Sequence, residues 1–387
     1  MVNVSCVISA SLSDYGQQWD TLAADNLYLS STYLNLVEDF GPIGFSFYYV
    51  IVYAAGEPVG IVYCQRKRII LSKDFRLHTH EGDSLWERLK VSGTKFLFSF
   101  VRHDILICGN VILTGEYGFK TTLNAEQDAN LIPAVLEKVR QHIRSEERVS
   151  VKSTLVKDFY IEGPLRQRKF GHSAFHAFKV QPDMVVSIRE EWQGYADYLS
   201  AVKSKYRVKF KKVNKKGAAL EFRAMDAAMA DNYSSQMYKM YEKTAARASF
   251  SLFLLGERYF SELKKTLGDK LSLTGVFLGD ELVAFFTMIK IGKIADAHFL
   301  GYDVKLNSQY QIYFNILLLL VEQAIEMKAS HLNLSRTALE IKSSVGAEPL
   351  EMNVHFRYHN GLIQKLIPQI MKTYVPEDDW LQRKPFK

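Results

Sequence analysis

Twice along the chain, two apolar runs meet at a short turn, a further strand follows, then a long helix, then another strand. In the first half the runs 45–53 and 58–70 flank Ala55-Gly56-Glu57, and a buried strand pattern covers 105–113. Leu131, Val135 and Val139 then mark a helix over 129–145, and 151–161 returns to strand. In the second half 271–278 and 282–291 flank Gly279-Asp280, a third strand covers 294–300, and a strongly apolar helix covers 306–328. Short strands follow at 331–334 and 352–358. A tight Gly-containing turn between apolar runs demands antiparallel pairing. A helix between two strands implies a parallel crossover instead. Only a mixed sheet satisfies both, so the chain is expected to be an α/β protein with mixed α+β sheets. The order recurs without a repeated sequence. The expected division falls near residue 190, where Glu190-Glu191-Trp192 opens a helix, giving domains of 1–190 and 191–387. A length of 387 residues suits two or three domains, and 9 Pro with 22 Gly leave little room for disordered linkers.

Charge separates the halves more sharply than pattern does. The formal net charge is +7, and residues 203–216 (KSKYRVKFKKVNKK) hold eight Lys or Arg and no acid, so the rest of the chain is close to neutral. Val202, Tyr206, Phe210 and Val213 recur at helical spacing and continue Tyr195 and Leu199, which makes 198–216 a basic helix with one apolar stripe. The alternation Lys203-Lys205-Arg207-Lys209-Lys211 also suits an amphipathic strand, but it leaves Lys212, Lys215 and Lys216 without a face. Like charges at i, i+4 cost a few tenths of a kcal/mol per pair, so a run of this kind points to an anionic partner rather than to a merely solvated face. A uniformly basic protein would suit a polynucleotide; one block on a neutral protein suits one anionic group.

Cys6, Cys64 and Cys108 are odd in number and scattered, the pattern of reduced thiols in a cytoplasmic protein. The N-terminal residues carry no basic n-region ahead of an apolar stretch, so no signal peptide is expected. The longest apolar run, 312–321, contains Asn315 and falls far short of the ~20 residues that cross a bilayer. His78-Thr79-His80-Glu81 lacks a third spaced ligand, and His172 and His176 on a strand would stand about 13 Å apart, so no metal site is expected. No Walker A loop, nucleophile elbow or dinucleotide fingerprint is present.

Four segments carry a family likeness: YLSAVKSKYRVKFKK (198–212), DAHFLGYD (296–303), NSQYQIYFNILLLL (307–320) and NLSRTALEIKSSVGAEP (333–349). With the element order, and with CGNVILTGEYGF (108–119) in the first half, they resemble the GNAT acyltransferases. The tandem arrangement is similar to the Fem-type aminoacyltransferases that build peptidoglycan cross-bridges and to GNAT-like proteins of bacterial peptidoglycan biosynthesis. The resemblance implies two tandem GNAT-like domains and an acyltransferase. It would move an acyl or aminoacyl group from a thioester or ester to an amine or hydroxyl, in cell-envelope or peptidoglycan metabolism, with acyl-coenzyme A or aminoacyl-tRNA as donor. One departure stands out. GNAT enzymes hold the coenzyme pyrophosphate on a Gly-rich turn after the central strand, and here that turn is VKLNSQY (304–310), with no glycine. Fem-type proteins also lack the standard coenzyme site, as the resemblance implies.

Within that frame the candidate residues fall into place. Asp296 and His298 share one face of a strand, with His298 as the base that takes the acceptor's proton and Asp296 as its orienter; a lone strand histidine bonded to a neighbour is the plainer alternative. Tyr302, Tyr310 and Tyr313 flank the junction that in GNAT-like proteins faces the acyl donor, and Tyr310 or Tyr313 is the implied acid; aromatic packing is the alternative among 21 tyrosines. Asn315, the odd polar residue of its run, caps a backbone group or faces the cleft. Arg336 and Lys342 follow the end of a strand and are placed to hold a phosphate or carboxylate, although Arg336 and Glu340 at i, i+4 also suit a local ion pair. Lys205, Tyr206 and Arg207 would meet the donor's phosphates. A rival of another class is a non-catalytic module that binds nucleic acid or a phosphorylated ligand through the basic helix.

Overall fold

Ala55 and Gly56 both take positive φ, +53° and +88°, the combination that a two-residue hairpin turn needs. They join β2 (Phe45–Ala54) to β3 (Glu57–Ile70), the longest hairpin among the described residues. The computed structural model describes residues 4–70, 102–167, 170–247, 253–374 and 380–387. His78 and His80 lie outside them.

The described chain forms two compact units. In the first, β1 (Val4–Ser9) pairs antiparallel with β2, and β3 pairs antiparallel with β4 (Arg102–Cys108) and with short β5 (Phe119–Thr121). Next, β4 pairs in parallel with β6 (Val151–Tyr160). Helices α1 (Gln17–Ala23) and α2 (Ser31–Phe40) precede the hairpin. The crossover to β6 is α3 (Ala125–Glu146), started by a reciprocal cap between Asn124 and Gln127. Its Ile132, Leu136, Val139 and Ile143 bury against Val50, Cys64 and Leu106 of the sheet. A fully buried aliphatic side chain contributes roughly 1.5–3 kcal/mol, so this face alone accounts for the docking of α3.

The second unit repeats the pairing. After β7 (His176–Ser187) come α4 (Tyr195–Ala201), α5 (Ser204–Lys216), β8 (Leu220–Ala224), α6 (Ala227–Asn232), α7 (Ser234–Ala245) and α8 (Tyr259–Leu267). The sheet runs β8, β9 (Leu271–Leu278), β10 (Glu281–Ile291), β11 (Ile294–Tyr302), all antiparallel. Parallel to β11 lies β12 (His331–Asn333), which pairs antiparallel with the end of β7. Between β11 and β12 the chain forms α9 (Val304–Tyr310) and α10 (Ile312–Glu326). It closes with α11 (Leu339–Ser344) and β13 (Glu348–Tyr358), followed by α12 (Gly361–Tyr374). Each unit is thus a mixed sheet of hairpins with one parallel pair.

Among the expectations that change is the basic helix over 198–216, which is two helices, α4 (Tyr195–Ala201) and α5 (Ser204–Lys216), parted by extended backbone at Val202 and Lys203. The division is not a single cut near 190: the first unit takes residues 1–180, 247–255 and 353–376, the second 181–246, 256–352 and 377–387. Two long strands, β7 and β13, each have residues in both units, so chain order and unit membership part company. The helix expected at Glu190 begins at Tyr195 instead, because Asp197 reaches back to the Gln193 and Gly194 N–H groups at 2.8 and 3.1 Å and sets the start there. The helix expected over 306–328 is broken at Gln311, whose φ of +52° no helix interior accepts.

Candidate active site

In the second unit, β11 and β12 pair at three positions only, Ile294–Asp296 with His331–Asn333. Beyond them β11 continues to Tyr302 on its β10 side, while the chain after β12 turns away. Two parallel strands that part at their carboxyl ends leave a fork, the usual place for a ligand in an α/β sheet. Just past the fork β11 carries a bulge: the pairing steps from Met288 and Ala297 to Phe286 and Leu300, so His298 and Phe299 face Thr287 alone. Thr287 Oγ1 accepts the Phe299 N–H at 2.9 Å and bonds the Phe299 carbonyl at 3.1 Å, which satisfies the bulged backbone. A bulge re-aims the side chains it carries, here His298.

His298 Nε2 shares a 2.8 Å hydrogen bond with Tyr259 Oη, and its ring lies 4.7 Å from Phe299. Burial pushes its ring down to about 3, so it is neutral at any physiological pH. The sequence pairs His298 with Asp296; the bond seen at Nε2 is to Tyr259, a residue that nothing in the sequence singled out. Asp296 itself is buried, two positions back on the same strand. At the far end of β11, the rings of Tyr302 and Tyr313 lie 5.9 Å apart, and burial raises the Tyr313 phenol.

Tyr310 and Tyr313 do not share a helical face, because Gln311 interrupts the helix between them. Asn315 holds that break together: its amide donates to the carbonyls of Tyr310 (3.1 Å), Gln311 (3.0 Å) and Val213 (3.4 Å). Of its two expected roles, it takes the capping one. Gly217 makes room for it, since a Cβ there would lie 2.4 Å from the Asn315 nitrogen.

The other side of the fork is a strap of four residues. Ser335, Thr337 and Ala338 all have positive φ, +58°, +66° and +49°, and non-glycine residues in that region store of order 1–3 kcal/mol each. Three side-chain hydrogen bonds hold the strap. Asn333 Oδ1 accepts the Ser335 N–H at 2.7 Å, and Lys342 Nζ donates to the Ser335 and Arg336 carbonyls at 3.1 and 2.5 Å. Lys342 is only 5% exposed. Burial pulls its ammonium down to about 7, against an opposing pull from the Asp183 carboxylate. Arg336 and Lys342 do come together, but through the backbone of Arg336. The Arg336 guanidinium lies 3.7 Å from Met352 Sδ. Glu340 pairs with Arg383 rather than with Arg336, because residue 336 precedes α11 and is not one helical turn from Glu340.

Beside the strap opens a concavity of about 550 Å3, lined by Ala338, Leu339, Glu340 and Ser344 from the strap and α11, and by Lys209 of α5. The buried stripe of α5 is Tyr206, Phe210 and Val213, so Lys209 sits at the border of that stripe. Its ammonium lies 3.4 Å from Ser344 Oγ and 4.7 Å from the centre of the Phe314 ring. Burial and the Arg383 charge lower it. The residues chosen from the basic run behave differently. Tyr206 is buried in the core, Lys205 lies over its ring at 5.1 Å, and Arg207 donates to the Val202 carbonyl at 2.6 Å, bracing the bend between α4 and α5. Lys211, Lys212, Lys215 and Lys216 are exposed. Among the described residues they form no ion pair. Lys209 was one cation among eight in the sequence, and only the register of the apolar stripe pointed to it.

Residues 200–343 match a family model described as an acetyltransferase (GNAT) domain. Two solved structures share the fold across nearly the whole chain. FemX is 10% identical, with a TM-score of 0.51 over 91% of this chain and 98% of that one. A tandem GNAT protein from the clavulanic acid biosynthesis pathway is 11% identical, with a TM-score of 0.51 over 92% of this chain and 99% of that one. No curated protein sequence matches the chain. The fold is that of the tandem GNAT proteins, as the sequence led one to expect.

Proposed function

From a tandem GNAT fold whose second unit carries the matched acetyltransferase domain, we propose that the chain transfers an acyl or aminoacyl group from an activated ester or thioester to an amine or hydroxyl. The acceptor would belong to the cell envelope, peptidoglycan being the first choice. The observation that carries this reading is the fork, where β11 and β12 separate after three pairs beside a strained strap tied by a buried lysine that titrates near neutrality.

The geometry supports a division of roles. The fork receives the acyl group, with His298 and its Tyr259 partner on one side. With its proton held off to about 3, His298 acts through a neutral ring that the fully buried Tyr259 holds in place, and is matched to orienting the acceptor more than to storing its proton. Lys342 is the better proton acceptor, since a base works best when its own value lies near the operating pH. As a neutral amine it keeps both N–H bonds to the strap and still presents a lone pair. Tyr302 and Tyr313 line the exit of β11, with Tyr313 as the hydrogen-bond donor to a leaving group. Lys209 faces the concavity and, with the exposed lysines of α5, suits the phosphates of acyl-coenzyme A or of an aminoacyl-tRNA. No described helix is long and apolar enough to cross a membrane.

The test is turnover by mass spectrometry with acyl-coenzyme A and aminoacyl-tRNA donors and a panel of amine acceptors from cell-wall precursors. Lys209→Ala should raise KM for the donor at least tenfold with little change in melting temperature. Lys342→Met should lower kcat by 100-fold or more, in the range of a lost general base. Donor binding without any turnover across the panel would move the chain to the second reading, a module that binds nucleic acid or a phosphorylated ligand. The run of exposed lysines without ion pairs on α5 favours that reading. Its signature is a steep fall of affinity with salt that is equal for tRNA and generic duplex.

A further inference from the structure

In the first unit, the end of α3, the loop after it and the start of β6 enclose a concavity of about 510 Å3. Arg140, Arg144, Arg148 and Lys152 line it, with His359 and Ser150. Arg140 is engaged by Glu137 through two hydrogen bonds. Arg144, Arg148 and Lys152 are exposed. Among the described residues they form no ion pair. Cations near a helix C-terminus are ordinary on their own account, because they meet the negative end of the helix dipole. Two further facts go beyond that.

The first is the conformation of Arg148. It follows the last helical turn of α3 and its cap residue Glu147, and takes φ +57°. This is the position where helices usually place glycine, since a Cβ is strained there. An arginine at a glycine position holds its guanidinium at the rim of the concavity at the expense of local stability. The second is His359. Its Nε2 shares a 2.8 Å bond with Thr154 Oγ1, and its backbone N–H donates to the Lys152 carbonyl at 2.8 Å. Burial, then Arg140 and Arg357, drive its ring down to about 4, with Glu137 opposing. The concavity therefore has a positive field that its own residues do not neutralise.

We propose that this concavity binds a small phosphorylated anion of the diphosphate class through Arg144, Arg148 and Lys152. Three cations without carboxylate partners match a diphosphate better than a single phosphate, and guanidinium groups meet phosphate oxygens two at a time. The volume leaves room for a group attached to the diphosphate. The site lies at the amino end of a parallel strand, the opposite end from the one at which the second unit forms its fork, so it serves binding rather than the transfer step.

The full-length protein is titrated by calorimetry at about 0.15 M salt with inorganic pyrophosphate, orthophosphate and a nucleoside diphosphate. Saturable pyrophosphate binding, tighter than orthophosphate and weakened at least tenfold by Arg144→Gln and by Lys152→Gln, is the expected result. Equal affinity for pyrophosphate and the nucleoside diphosphate supports a free diphosphate as the ligand; tighter nucleoside diphosphate binding supports a nucleotide source. Arg148→Gly should weaken binding and raise the melting temperature by a few degrees, a pairing that a misfolded variant cannot produce. His359, followed by NMR, should titrate at higher pH once pyrophosphate is bound, because an anion offsets the field of Arg140 and Arg357. Absence of saturable binding overturns the proposal. So does binding that survives these substitutions but is lost with Lys211→Gln and Lys212→Gln on α5, or a His359 titration that pyrophosphate leaves unmoved.

Discussion

Lys342 keeps its ammonium inside the second unit, against two backbone carbonyls, and the sign of its effect on stability follows from that. Its folded value, about 7, lies below the ordinary 10.5, so the folded state holds the proton less firmly than the unfolded chain does. Below pH 7 both states are charged and the burial penalty is at its full size. Between pH 7 and 10.5 the folded state sheds its proton first, and that penalty fades as pH rises. Stability should therefore climb across this window, with a limiting slope of about 1.4 kcal/mol per pH unit for one proton. Denaturant midpoints at pH 7, 8 and 9 check this, and Lys342→Met should flatten the slope. At this scale the sequence was partly legible. Arg336 and Lys342 stood out as cations after a strand, but their orientation depends on three left-handed residues, Ser335 just before Arg336 and Thr337 and Ala338 just after it, and Ser, Thr and Ala do not announce such angles. Tyr259 could not be found as the partner of His298, because 39 residues separate them and only the packing of α8 brings them together.

Secondary elements were legible where periodicity is unbroken and illegible where one residue breaks it. The hairpins at Ala55-Gly56 and Gly279-Asp280 were readable because glycine marks the left-handed turn. The break at Gln311 was not, since apolar periodicity runs straight through it and glutamine gives no sign of a left-handed φ. What stabilises the break is Asn315, which draws the ends of α5 and α9 onto one amide. Gly217→Ala would press a methyl to within 2.4 Å of that amide. The expected cost is about 1–3 kcal/mol, as for an overpacked core position, read as a lower urea midpoint with an unchanged m-value. Gly301 has a comparable duty on β11, where a Cβ would come 2.6 Å from the Tyr241 nitrogen of α7.

Across the whole molecule, the repeated pairing order was the most legible feature, because hairpins and a crossover helix constrain a sheet more than any single residue does. The difference between the repeats was not legible. In the first unit β4 and β6 pair over five positions, Asp104–Cys108, where β11 and β12 pair over three. Past the parallel pairs, the Lys157 ammonium is tied to the carbonyls of Asn110 and Leu113 at 3.0 and 2.6 Å and to the Asp158 carboxylate. Gln65 and Asn110 extend this buried polar group. The place corresponding to the fork is thus filled by the unit's own side chains. Lys157→Met would leave Asp158 buried without its ammonium, a loss of roughly 3–5 kcal/mol. Melting temperature should fall while turnover per folded molecule in the second unit's fork stays unchanged; a matching loss of turnover would assign the chemistry to the first unit.

The membership of residues 353–376 in the first unit sets a timetable for synthesis. Domains of most chains fold in order as they leave the ribosome. Here the unit that begins at residue 1 lacks 24 of its residues until the last part of the chain has been made, and the second unit has been translated almost in full by then. An arrested chain ending at residue 346 should accordingly be cleaved by protease within 1–180 as readily as in denaturant, and release of the full chain should protect both segments together.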